Sequence, residues 1–205
     1  MNEPTVYVID DDPAVRDSLQ LLIRSVGLPV QVFESADTFL GAWQRAWRGC
    51  LVVDIRMPGM SGLEMQEALL ERGCRLPVIF ITGHGDVPMA VEAMKAGALD
   101  FVQKPFRDQD LLDRINEGLQ QEKSLHQVEV EIDEITGRLE ALTPRERQVL
   151  ERVVSGQPNK VIAMDLDVSQ RTVEIHRARV MEKMQARSLA QLVQMMSRLE
   201  NLREG

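Results

Sequence analysis

Along the first 120 residues, short apolar runs alternate with longer amphipathic segments. The runs TVYVI (5–9), PVQVF (29–33), CLVVD (50–54), PVIFI (77–81) and LDFVQ (99–103) predict five strands, and the segments around them predict five helices. In the first helix Val15, Leu19, Leu22, Ile23 and Val26 recur at three-to-four spacing, with Gly27 as its stop. This alternation predicts an α/β fold, a doubly wound parallel sheet of five strands. Such sheets bind ligands at the carboxyl ends of their strands, near the point where strand order reverses.

Past residue 106 the pattern changes. Leu111, Leu112, Ile115 and Leu119 mark a last helix of this domain. Leu125, Val128, Ile132, Ile135, Leu139 and Leu142 then continue at 3-4-3-4-3 spacing, predicting a helical linker over 121–140, weakened at Thr136-Gly137. This seam could pair with a second chain or lie on its own domain. From residue 141 an all-α domain opens. Thr143, Pro144 and Glu146 form a capping box. Short helices follow around 149–154, ended by Ser155-Gly156, and over 159–166. The turn Asp167-Val168-Ser169 starts a longer helix reaching about Met184. Helix, tight turn and longer helix is a DNA-reading arrangement. The chain therefore divides into 1–120, 121–140 and 141–205.

Composition narrows the function classes. The chain has 205 residues, 44% of them hydrophobic, without an uninterrupted membrane-length apolar stretch or a signal peptide, so the expected location is the cytoplasm. Cys50 and Cys74 lack close spacing, and His84, His126 and His176 are scattered, which argues against a disulfide scaffold or a zinc site. Eleven Lys and Arg face 18 Asp and Glu in residues 1–120 (net -7), two face six in 121–140 (net -4), and 11 face eight in 141–205 (net +3). Only the last third leans toward a polyanionic partner.

The sharpest chemical signal is VIDDDP (8–13). Asp12 before Pro13 reads as a helix cap. Asp10 and Asp11 at the end of a strand should repel each other unless a cation sits between them. Asp54 also ends a strand, before the Pro58-Gly59 loop, and Thr82 and Lys104 stand at the ends of the fourth and fifth strands. One rim of the sheet thus collects the polar residues.

Asp10-Asp11, Asp54 with its RMPGMSG loop, Thr82 with GHGD, Phe101 and Lys104-Pro105 together resemble the receiver domain of two-component response regulators. LTPRERQVL, NKVIA and RTVEIHRARVMEKM resemble the LuxR-type helix-turn-helix, so the whole chain resembles the NarL/FixJ class. The resemblance implies a flavodoxin-like receiver in which Asp54 accepts a phosphoryl group from a sensor histidine kinase. A hard cation, Mg2+, would be held directly by Asp11 and Asp54, through water by Asp10, and by the Arg56 backbone carbonyl. Lys104 would pair with a phosphoryl oxygen, and a cis bond to Pro105 would aim it. Thr82 and Phe101 would carry the switch, although Phe101 could also be plain core. Val91, Lys95 and Phe101 would form the face for a homodimer that assembles on phosphorylation, and the dimer would bind promoter DNA and act with RNA polymerase, as an activator.

On the long helix Val173, Val180 and Met184, with Met181 beside them, form the expected buried face. Arg171, Glu174, Ile175 and Ala178 lie on the other and suit base edges. Lys160, Thr172, Arg177 and Arg179 suit phosphates. His176 fits either a buried or a phosphate-facing role. In the last helix Leu189, Leu192, Val193, Met196 and Leu199 could serve a dimer or the core. A haloacid-dehalogenase-type phosphatase with Asp10 as nucleophile is the alternative, and a receiver that only sequesters a protein partner is a third reading.

Overall fold

The computed structural model describes residues 3–83 and 87–203. His84, Gly85 and Asp86 of the GHGD segment lie outside the described residues. The chain divides into two compact units, Met1–His126 and Gln127–Gly205.

In the first unit β1 (Thr5–Ile9), α1 (Pro13–Ser25), β2 (Val30–Phe33), α2 (Ala36–Ala42), β3 (Gly49–Asp54), α3 (Gly62–Glu71), β4 (Val78–Thr82), α4 (Val87–Lys95) and β5 (Asp100–Gln103) precede the long α5 (Asp108–Glu140). The strands pair in parallel, as the alternation predicts, in the order β2-β1-β3-β4-β5. Because strand side chains alternate between faces, Tyr7, Ile9, Leu51, Val53 and Phe80 enter one core with α2 and α3 residues such as Phe39 and Met65. Val6, Val8, Val52, Ile79 and Ile81 enter the other, with Leu19 and Ile23 of α1 and Leu111 and Ile115 of α5. Central β3 is buried at every position.

Local signals set the edges of these elements. Asp12 caps α1 by accepting from the Ala14 N–H, Pro13 opens it, and Gly27 leaves it at φ 79°. Val26, expected on the buried face, is instead exposed: it is the C-cap, beyond the last turn of the face carrying Leu19 and Ile23. Gly49 sits at φ 127°, where an added Cβ would lie 1.8 Å from the Thr5 carbonyl oxygen. Cys50 and Cys74 are buried free thiols. Burial pushes the Cys50 thiol up to about 12 and raises that of Cys74.

The helix α5 runs unbroken through Thr136-Gly137, contrary to the expected weakness. A helical glycine costs about 1 kcal/mol, and the burial of Ile135 and Leu142 on either side of it outweighs that cost. Of the heptad-like seam, Leu125 and Val128 are exposed. Ile132, Ile135, Leu139 and Leu142 pack into the core of the second unit.

That second unit continues with α6 (Pro144–Val154), α7 (Asn159–Asp165), α8 (Gln170–Lys183) and α9 (Leu189–Arg203). The Thr143–Glu146 capping box forms, with Pro144 as the first helical residue, so α6 begins earlier than 149. Val149, Leu150, Ile162, Val173, Val180 and Met184 make the core, and Leu192 and Leu199 of α9 join it. Glu146, buried, accepts from the Thr143 N–H (2.9 Å) and from Lys183 Nζ (2.7 Å), tying α6 to the end of α8. The Lys183 hydrogen bond, then the Thr143 amide, hold its carboxyl at about 2, well below the usual glutamate range.

Gly49→Ala is expected to cost about 2 kcal/mol or more, through strain and a backbone clash, and urea unfolding of the full chain measures it. The Glu146 pKa is depressed on folding, so its contribution is present above the unfolded value and lost as pH falls through the folded one. Glu146→Gln should therefore weaken the second unit by roughly 1.5–3 kcal/mol near neutrality. The deficit should shrink between pH 4.5 and about 2, and denaturation series across that window check it. A deficit that stays constant there would show that charge is not its cause.

Candidate functional site

Parallel pairing puts the carboxyl ends of β1, β3, β4 and β5 side by side, which gathers Asp10, Asp54, Thr82 and Lys104 at one rim. Lys104 follows β5, its N–H donates to the Thr82 carbonyl (2.7 Å), and its bond to Pro105 is cis. Its ammonium donates to Asp10 Oδ2 (3.0 Å) and to Asp54 Oδ1 (3.1 Å). Asp10 is almost fully buried, and its other oxygen accepts from the Asp12 N–H at 2.9 Å. The Arg16 guanidinium donates to the Asp10 carbonyl at 2.7 Å. Asp11 is exposed at the apex of this turn, and Arg56 is exposed just beyond β3.

Electrostatics at the rim are unbalanced. Burial raises the Asp54 carboxyl above its usual range; Lys104 opposes that rise, while the charges of Asp10 and Asp11 add to it. Burial alone would lower the Lys104 ammonium, but its hydrogen bonds and charge pairing with Asp10 and Asp54 leave it raised. Among the described residues no three His, Cys, Asp or Glu side chains are drawn together as a ready metal cluster. Asp10 is occupied by Lys104 and the Asp12 amide, Asp54 shares the same lysine through Oδ1, and Asp11 is exposed. A set of oxygen donors carrying more negative charge than one lysine offsets nevertheless fits a hard divalent cation.

Thr82 is buried, and its hydroxyl donates to the Gly83 carbonyl at 3.2 Å. Phe101 is 37% exposed, so the plain-core alternative does not hold, and Val102 takes the core position of β5 instead. Val91 and Lys95 are also exposed.

In the second unit α8 buries Val173, Val180 and Met184 and half-buries Met181. It exposes Arg171, Glu174, Ile175, Ala178 and Arg179, while Lys160 is exposed on α7. Thr172 is half-buried, its hydroxyl 2.8 Å from that of Ser169, the α8 cap. Arg177 is half-buried and donates to Asn159 Oδ1 at 2.9 Å, a clip from α8 to α7 that the pattern of the chain does not announce. His176 is half-buried, with Nδ1 enclosed and without a hydrogen-bond partner among the described residues.

A family model described as the response regulator receiver domain matches residues 6–116, and one described as bacterial regulatory proteins, luxR family, matches residues 140–196. The response regulator protein TmoT of Ectopseudomonas mendocina is 46% identical over 97% of this chain and 90% of its own length. The transcriptional regulatory protein FixJ of Bradyrhizobium diazoefficiens is 46% identical over 94% of each. Among solved structures, the response regulator StyR superposes with a TM-score of 0.88 at 46% identity, over 96% of this chain and 99% of that one. Full-length FixJ from B. japonicum gives 0.60 at 44% identity, over 98% of each. The phosphatase alternative finds no support in these matches, which cover both halves of the chain. The chain belongs to the two-component response regulators that join a receiver domain to a LuxR-type DNA-binding domain and regulate transcription.

Proposed function

We propose that Asp54 is the phosphoacceptor, charged by a sensor histidine kinase, and that the chain acts as a regulator rather than as an enzyme. In this reading the chain itself works in the cytoplasm, wherever its kinase lies, and residues 1–120 form the receiver, 121–140 the linker and 141–205 the DNA-binding domain. The observation that carries it is the single ammonium of Lys104 bridging Asp10 and Asp54 at the rim where four strands end. An arriving phosphoryl group brings oxygens that Lys104 can pair with, and the ammonium is already within reach of the acceptor. Asp11, Asp54 and the Arg56 carbonyl would hold Mg2+, with Asp10 behind a water. The bound ion would neutralise phosphoryl charge during the transfer. Thr82 would turn its hydroxyl from the Gly83 carbonyl to the new oxygens and draw Phe101 with it. Val91, Lys95 and Phe101 would then join a second copy, and the dimer would act with RNA polymerase as an activator.

On α8 the exposed Arg171, Glu174, Ile175 and Ala178 would read bases. Lys160, Thr172, Arg177 and Arg179 would hold phosphates.

Incubation with a small phosphodonor and Mg2+, following label, oligomeric state and duplex binding together, tests the whole scheme. Asp54→Asn should abolish base-labile labelling, because an amide cannot attack phosphorus, whereas Asp10→Asn should only slow it. Label that survives in the first variant and vanishes in the second would assign the nucleophile to Asp10. For the DNA face, Glu174→Ala should change base preference at one position by roughly 1–3 kcal/mol. Arg179→Ala should weaken all sequences alike and lower the salt slope by about one. Binding titrations on a panel of duplexes at several salt concentrations distinguish the two, and identical profiles would refute this division of the face.

A further inference from the structure

We infer that Arg16 is a positioning residue for the cation pocket; the inference rests on the reading of Asp10, Asp11 and Asp54 given above. Arg16 is the fourth residue of α1, at the end of a helix where a positive side chain is disfavoured by the dipole. Three carboxylates lie just before it in the chain, yet its guanidinium is directed at a carbonyl, that of Asp10, at 2.7 Å. Its own N–H donates to the Asp12 carbonyl at 3.0 Å. The turn is closed internally by the Asp12 N–H on Asp10 Oδ1 (2.9 Å) and the Ala14 N–H on Asp12 Oδ1 (2.8 Å). Both neighbours of Asp11 are thereby tied, one by the side chain and one by the backbone of the same arginine. Asp11, between them, presents an exposed carboxylate on a turn whose two flanking carbonyls are both bonded.

Two effects of Arg16 on a divalent cation oppose each other. Its charge repels the ion, and at a half-buried position inside a Debye length of the pocket solvent weakens that repulsion without removing it. Its hydrogen bond to the Asp10 carbonyl holds the ligand-bearing turn in place, one step further out than the partners of ligating side chains, which govern metal affinity by about 10–100-fold. A positioning role makes the second effect the larger, so removing the guanidinium loosens the ion rather than tightening it.

The test is an NMR titration of the full chain with Mg2+ alone, following the amides of residues 10–12 and 54–56, with circular dichroism confirming the fold of each variant. Arg16→Met is expected to bind Mg2+ about tenfold more weakly than the wild type, and Arg16→Lys, which keeps the charge but not the planar fork, about threefold more weakly. A Met variant that binds as well as the wild type, or better, overturns the inference. Should that variant not fold, a Lys variant at wild-type affinity overturns it alone. A wild-type chain that shows no saturable response to Mg2+ refutes instead the pocket on which the inference stands.

Discussion

Burying a carboxylate where a strand runs out of the core raises its free energy unless positive charge is brought to it, and the first unit is built around that demand at Asp54. The residue closes a strand buried at all six positions, so water cannot serve it fully, and its carboxyl is held above the usual range. Compensation has to come from another strand end. Only a parallel sheet delivers several ends to one rim, and only with β1 and β4 flanking β3 do Asp10 and the Lys104 segment arrive within reach. One lysine against this acidic group leaves negative charge in excess. The rim thus folds with its acidic charge incompletely offset.

The second unit meets a different requirement, that of keeping a helix rigid while one of its faces stays bare. Val173, Val180 and Met184 seat α8 on the core, but apolar contact alone resists rotation poorly. Directional bonds supply the rest: Lys183 to Glu146 at its end and Arg177 to Asn159 at its middle. In α5 the Arg48 guanidinium grips buried Glu122 through two bonds, of 2.9 and 3.2 Å. Beyond it, Leu125, Val128 and Val130 are exposed before Ile135 is buried again. Within the second unit the Arg198 guanidinium of α9 pairs with Glu131, and Ile132 packs into the core, so the uncovered stretch of α5 is short.

How much of this the sequence discloses depends on how far apart the partners lie. Strands such as Leu51-Val52-Val53 are legible because burial on both faces leaves an unbroken apolar run. The caps at Asp12 and Thr143 bond to residues two or three positions away, so local chemistry names them. Asp54 and Lys104 were legible as strand-end residues, although their contact spans fifty positions. Val26 misled because periodicity shows that a face is apolar without showing whether anything covers it, and for the same reason it leaves open what covers Leu125 and Val128. Arg16, Asn159 and Lys183 escaped because their partners are a carbonyl, a guanidinium on another helix and a distant carboxylate, none of which leaves a periodic trace.

The two thiols carry a consequence of their own. Attack on an oxidant or an alkylating reagent requires thiolate, and a Cys50 thiol held at about 12 by burial offers almost none near neutrality, with Cys74 displaced the same way. Both are buried in the cores of the first unit, so in the closed fold these two thiols are poor nucleophiles. Reagents can reach these sulfurs only when the fold opens, which makes the pair a built-in clock for the opening of the first unit.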